Sequence, residues 1–318
     1  MNKKTRYWII GLAVVALVGC GGFLFLGLWA VNNFGGGGGG PAFGDAVAIV
    51  RVEGAIVPGE APPPNPFGGV TGVAYSQQVI DDLKKANEDE SVKAVILYID
   101  SPGGSVLAAD EIYLQIQEMT KPIIASMNSL AASGGYYVSA PTDEIWASPH
   151  TLTCSIGVIF QLLNVEEFAE EYGITTVTVK SGKFKDVGNP FREFTPEERA
   201  LIQTIVDEAY AEFVRVVAEG RHMNEEEVRE IADGRICTGK QAQAMGLVDE
   251  LGYLPSAIDR AAELGKIEGE PRIIEYKREL GFFEALGASL NRPSPVAELK
   301  QLIHFNPGSP LMYLYVGP

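Results

Sequence analysis

The sequence predicts an α/β fold built on a mostly parallel sheet flanked by helices. Two observations carry this. Short apolar runs recur at Ala46–Val52 (AVAIVRV), Val92–Ile99 (VKAVILYI) and Pro122–Met127 (PIIASM), each of strand length. Between them lie stretches with helical periodicity, and turn residues mark the borders, as at Ser101-Pro102-Gly103-Gly104. Strands alternating with helices are the pattern of parallel pairs joined by helical crossovers.

At the N-terminus, Lys3, Lys4 and Arg6 precede an uncharged stretch from Trp8 to Val31, long enough as a helix (~36 Å) to cross a bilayer core. Basic residues before such a run keep its start cytoplasmic and send the chain beyond it outside. A cleaved signal sequence is the competing reading, and Leu17-Val18-Gly19-Cys20 resembles a lipoprotein cleavage box. The apolar run nevertheless continues through Phe23-Leu24-Phe25-Leu26. The expected organisation is a basic stub and anchor over 1–34, a linker over 35–44 containing six consecutive glycines, a domain over 45–265 and an extension over 266–318. Inside the domain, Pro58 to Gly72 reads as a surface loop. Ser76 to Asn87 reads as an amphipathic helix with Val79, Leu83 and Ala86 on one face, and Val106 to Met119 as a second helix. Gly134 to Ala140 is a short third helix. Glu144 to Ala147 and Ile174 to Val179 are expected strands. Thr195 caps a long helix running to about Glu219, with Pro196 in its first turn and Glu198 completing a capping box.

Composition excludes some functions. The 318 residues carry 41 acidic against 25 basic side chains, a net charge of −16, which repels nucleic-acid phosphates. The three cysteines, Cys20, Cys154 and Cys237, imply no disulfide framework, since the first lies in the apolar N-terminal run. No Cys/His cluster has metal-ligand spacing, so no metal site is expected.

Three segments invite chemistry. In Leu130-Ala131-Ala132-Ser133-Gly134-Gly135, small residues let a carbonyl approach the Ser133 hydroxyl, and the glycines free backbone N–H groups to face it. The alternative for Ser133 is a helix cap. Asp100-Ser101-Pro102-Gly103-Gly104-Ser105 places N–H groups at the carboxyl edge of the sheet, where α/β sites gather, or else is an ordinary turn. In Thr153-Cys154-Ser155-Ile156-Gly157-Val158, Ser155 has the hydroxyl to hold an ammonium, and Ile156, Gly157 and Val158 suit pairing with an extended peptide. Further on, Lys180, Lys183 and Lys185 lie within six residues. A lysine that activates serine must be neutral, and spacing alone does not choose among the three.

These motifs together resemble signal peptide peptidase A, the membrane-bound serine–lysine peptidases of bacteria. The match rests on Asp100 to Gly104, Ala132 to Tyr137, Thr153 to Val158, Ser181 to Glu193, and Gly234 to Lys240 with Gly246 to Asp249. The resemblance implies the fold of the Clp protease and crotonase superfamily. It implies Ser133 as nucleophile, Lys185 as general base, Ser155 orienting that lysine, and an oxyanion hole from Gly103, Gly104 and Gly134. It implies apolar peptides such as released signal peptides as substrates, with no cofactor. It also implies a homo-oligomer, of the octameric type, in which Ser133 and Lys185 come from neighbouring subunits. Cys154 departs from the glycine usual in the family. Rival readings are a Ser–His–Asp peptidase, for which His150 is the nearby histidine, a non-catalytic ring-forming membrane scaffold, and an acyl-CoA enzyme of the crotonase fold. The apolar run Leu311 to Val316 suits an extended peptide lying in a substrate groove, or a strand completing the core.

Overall fold

Strand Val92–Ser101 shows how the core is organised. Val95, Leu97 and Ile99 are fully buried on one side, while Ala94 and Ile96 are fully buried in a second cluster on the other. Alternate side chains of a strand point to opposite faces, so apolar residues at successive positions require cover on both. Burying each of the larger ones contributes about 1.5–3 kcal/mol relative to exposure.

The computed structural model describes residues 44–61, 72–276 and 311–314. The expected anchor at Trp8 to Val31, the glycine linker and most of the Pro58 to Gly72 loop lie outside them. Among the described residues no helix is long and apolar enough to cross a membrane.

The elements in chain order are β1 (Ala46–Glu53), β2 (Ala55–Val57), β3 (Val73–Tyr75), α1 (Ser76–Glu88), β4 (Val92–Ser101), β5 (Gly103–Ser105), α2 (Val106–Gln117), β6 (Ile123–Ala132), α3 (Gly134–Ser139), β7 (Glu144–Ala147), β8 (Leu152–Cys154) and β9 (Ile159–Phe160). They continue with α4 (Glu166–Glu171), α5 (Pro196–Gly220), α6 (Glu225–Ile231), β10 (Ile236–Thr238), α7 (Gly239–Ala244), β11 (Glu250–Leu251), α8 (Leu254–Leu264), β12 (Arg272–Glu275) and β13 (Leu311–Leu314).

Among the described residues the main sheet has eight strands, ordered β10-β8-β6-β4-β1-β12, with β7 on β6 and β11 on β7. Every pair is parallel except β10 with β8. One face is covered by α8, whose Ala257 and Ala261 pack on Val47, Ile49 and Ile96; the other cluster draws on α1, α2, α3 and α5. The expected α/β architecture with a mostly parallel sheet is the observed one.

Strand β6 outruns its expected end at Met127, and this creates the site. Its first half pairs with β7 and its last residues, Leu130 to Ala132, leave β7 and pair with β8. The chain therefore reaches Ser133 at a fork in the sheet. A second sheet, ordered β3-β2-β5-β13-β9, passes over this fork. Two strands from the expected C-terminal extension join the sheets, β12 beside β1 and β13 between β5 and β9.

Two expectations need correction. Ile174 to Val179 forms no strand: among the described residues it has no ladder partner, and Val177 and Val179 are 92% and 96% exposed, so an extended backbone there gains no pairing from them. Cys154 and Cys237 form a disulfide, with Cα atoms 5.6 Å apart. The antiparallel pairing of β8 with β10 brings together two cysteines far apart in sequence, which counting cysteines does not reveal. The long helix agrees with its sequence signals, down to Thr195, Glu198 and the capping box.

Candidate active site

Ser133 ends β6 and precedes α3 in a conformation unusual for a side-chain-bearing residue, φ 54° and ψ −116°. Such backbone costs on the order of 1–3 kcal/mol and persists only where its surroundings fix it. Here the Ser133 N–H donates to the Cys154 carbonyl at 2.9 Å, and the Ser133 carbonyl accepts from Tyr137 N–H at 2.8 Å. The side chain makes no capping bond to α3, so the cap reading fails. Below, Tyr136 and Tyr137 root the helix: the Tyr136 hydroxyl donates to the Leu247 carbonyl at 2.8 Å and the Tyr137 hydroxyl to Asp110 at 3.0 Å. Burial pushes both phenols far above their ordinary pKa, so each stays a protonated donor and neither is a base.

The Gly103–Gly104 turn packs directly on this point. Gly103 has φ 91°, open to glycine, and a Cβ there would collide with the Tyr313 carbonyl oxygen and sit 2.5 Å from Gly134 N. A Cβ on Gly134 would lie 3.1 Å from Gly103 Cα and 3.2 Å from Gly104 N. The three glycines expected to form an oxyanion cradle are thus neighbours. Gly103 is not the donor expected of it: its N–H is taken by Ser101 Oγ at 3.0 Å, and that hydroxyl donates to the Gly54 carbonyl at 2.6 Å. Of the expected donors, the Gly104 and Gly134 backbones remain as candidates.

Strand β13 lies across the cradle. Its Met312, Tyr313 and Leu314 run antiparallel to Ser105, Gly104 and Gly103, and its Leu311 and Met312 pair antiparallel with Phe160 and Ile159. The Tyr313 carbonyl oxygen is 3.1 Å from the Cβ position of Gly134. Its ring is fully buried, stacked 4.9 Å from Tyr137 and tilted against Phe213 at 4.7 Å, with the hydroxyl donating to the Ala209 carbonyl at 2.8 Å. An extended segment of the chain thus lies against the glycines next to Ser133. The strand that pairs with it is Ile159–Phe160, directly after Ile156, Gly157 and Val158, the residues expected to pair with a substrate peptide. Ile156 is buried, and its carbonyl accepts from Gly234 N–H at 3.1 Å.

Ser155 follows the disulfide-bonded Cys154 at the same fork. It has φ 53°, is 8% exposed, and its N–H donates to the Arg235 carbonyl at 2.8 Å.

The lysines are elsewhere. Lys180 pairs with Asp186 at 2.6 Å and Lys183 with Glu197. Lys185 is exposed, and among the described residues its amine forms no ion pair. Arg192 fixes the segment that presents it. This guanidinium bonds the Asp186 carboxylate at 3.0 Å and the Asp186 carbonyl at 2.8 Å, and it also reaches Glu198 at the start of α5. Arg192 holds both carboxyls below their usual range, Glu198 at about 2. Among the described residues no lysine amine bonds to Ser133 or Ser155. The fold therefore brings Ser133, Ser155, Gly104 and Gly134 together and leaves Lys185 apart, on an arm whose apolar side chains face outward: Leu163 75% exposed, Tyr172 65%, Phe184 44%. His150 is exposed in the turn before β8 with no bond to Ser133, which removes the support for a Ser–His–Asp site.

Comparison with known proteins identifies relatives of the chain. Residues 115–268 match Peptidase family S49, and residues 68–151 match the Clp protease family. A Synechocystis sp. protein provisionally named as protease slr0021 is 40% identical over 63% of this chain and 73% of its own length. An Enterococcus faecium protein, provisionally named signal peptide peptidase SppA, is 43% identical over 64% of this chain and 60% of its own. The chloroplastic serine protease SPPA of Arabidopsis thaliana is 36% identical over 70% of this chain and 33% of its own. The chain thus spans less than two thirds of the length of the last two.

Proposed function

Because the chain belongs to peptidase family S49, we propose that it is a membrane-anchored serine endopeptidase in which Ser133 is acylated by apolar peptides and Lys185 of a neighbouring subunit is the base. The observation that carries this is Ser133, held at φ 54° beside two glycine backbones with an extended strand across it. Neutral Lys185 takes the Ser133 proton, and the serine oxygen attacks the scissile carbonyl. The oxyanion is held by backbone N–H groups of Gly104 and Gly134; one such donor is typically worth about 3 kcal/mol. The protonated lysine gives its proton to the leaving amine. Water, activated by the same lysine, then releases the acyl group. Ser155 orients the amine.

The outward apolar arm supports assembly. Side chains such as Leu163 and Tyr172 gain cover from a second copy, and the same contact delivers Lys185 to a site that has no base among the described residues. We take the assembly as a ring, octameric in the family's manner. The run from Trp8 to Val31, with basic residues before it, supports a single-pass anchor and an extracytoplasmic domain. The buried disulfide supports the same side, since such bonds persist outside the cytoplasm. Peptides left in the bilayer after signal cleavage suit both this position and an apolar groove.

The tail provides a test. With β13 on the groove, a substrate must displace it. Deleting Leu311 to Pro318 is expected to raise hydrolysis of a quenched apolar peptide several-fold, mainly through KM, because the groove is emptied. Unchanged hydrolysis with a lowered melting temperature would instead make β13 a core strand, in keeping with the buried Tyr313 ring, and would remove the groove from the account.

A further inference from the structure

We propose that the Cys154–Cys237 disulfide is a positioning device for acyl transfer. It holds the Cys154–Ser155 corner in the backbone conformation on which the Ser133 turn rests. The inference rests on Ser133 being the nucleophile.

Cys154 has φ 67° and Ser155 φ 53°, so two consecutive residues with side chains occupy the left-handed region. Residues with a Cβ avoid it, and glycine enters it without cost. The corner is also wired to the site. On one side the Cys154 carbonyl accepts the Ser133 N–H at 2.9 Å. On the other the Ser155 N–H reaches the Arg235 carbonyl at 2.8 Å, beside the three-residue pairing of β8 with β10. If the corner relaxed to negative φ, the carbonyl that fixes the Ser133 turn would rotate away, and the Ser155 side chain with it.

The disulfide opposes that relaxation. It ties Cys154 to β10 with the Cα atoms 5.6 Å apart, and both residues are buried, at 2% and 4% exposure. The two cysteines are 83 positions apart, so the bond also closes the loop that carries β9, the lysine segment and α5 at the end nearest Ser133. A glycine at 154 would need no such tether. A cysteine there needs one, and Cys237 supplies it.

The test compares wild type, Cys237→Ala, Cys154→Gly/Cys237→Ala and Ser133→Ala. Each is followed by steady-state peptide hydrolysis and by the rate of labelling with a serine-reactive fluorophosphonate. Cys237→Ala is expected to lower kcat and the labelling rate about 10- to 100-fold with KM nearly unchanged, since a displacement of about 1 Å at a reacting centre costs this much. The double variant is expected to recover most of the rate while its melting temperature stays below wild type. A purely stabilising disulfide would not give that separation.

Should Cys237→Ala fail to fold, a dithiol serves in its place. The two protein sulfurs each take up an electron and a proton, and the dithiol closes to its own disulfide. Treated wild type is expected to slow, while the double variant is unaffected. Wild-type kcat in Cys237→Ala or in reduced wild type overturns the inference. So does a double variant as slow as the single one, or alkylation of Cys154 and Cys237 in the folded, unreduced protein. Labelling that survives Ser133→Ala overturns the nucleophile assignment and this inference with it. Labelling lost in Ser133→Ala but unchanged in Cys237→Ala overturns this inference alone.

Discussion

Ser133→Ala is expected to abolish both peptide hydrolysis and labelling by an acylating probe, with a fall in kcat of at least ~10³-fold, because no other group in the cradle replaces the nucleophile. The variant should fold normally. Alanine keeps the Cβ, so the backbone stays at φ 54°, and the Ser133 N–H still donates to the Cys154 carbonyl. The hydroxyl makes no capping bond whose loss would cost stability. Thermal unfolding should therefore move little while activity disappears. A variant that still hydrolyses peptide would place the nucleophile elsewhere. A wild type that never labels would favour the non-catalytic scaffold.

Lys185→Ala is expected to lower kcat by about 10²- to 10⁴-fold, the range for a lost general base, whereas Lys183→Ala should stay within a few-fold of wild type. The ion pairs carry this distinction. Lys180 and Lys183 are bound to Asp186 and Glu197, while the Lys185 amine has no carboxylate partner among the described residues and is available to a second chain. Lys185→Arg should be as inactive as Lys185→Ala, since a guanidinium keeps its charge and accepts no proton. Loss of activity in Lys183→Ala with Lys185→Ala intact would transfer the role to Lys183.

Much of the fold was legible in local signals. The run Val92 to Ile99 announces a strand buried on both faces, and Thr195-Pro196-Glu197-Glu198 announces the start of α5. Both depend on residues close in sequence. The site was legible as types and spacings: Ser133 between small residues, and the Gly103–Gly104 turn. What stayed hidden depends on long-range pairing. The disulfide requires β8 to lie against β10. The position of β13 requires a segment near the C-terminus to find β5 and β9. Gly103 was read as a donor because nothing local shows that Ser101 Oγ takes its N–H. Ile174 to Val179 carries β-formers but has no partner strand among the described residues, and propensity alone does not supply one.

The central claim is that a neutral amine on one chain activates Ser133 on another. Co-assembly of Ser133→Ala subunits with Lys185→Ala subunits tests it directly, each variant alone being inactive. In a ring with shared sites, a working site needs an intact serine from one subunit and an intact lysine from its neighbour. Random mixing at equal amounts then restores about a quarter of wild-type activity. Mixed rings that assemble normally and hydrolyse nothing would contradict the account.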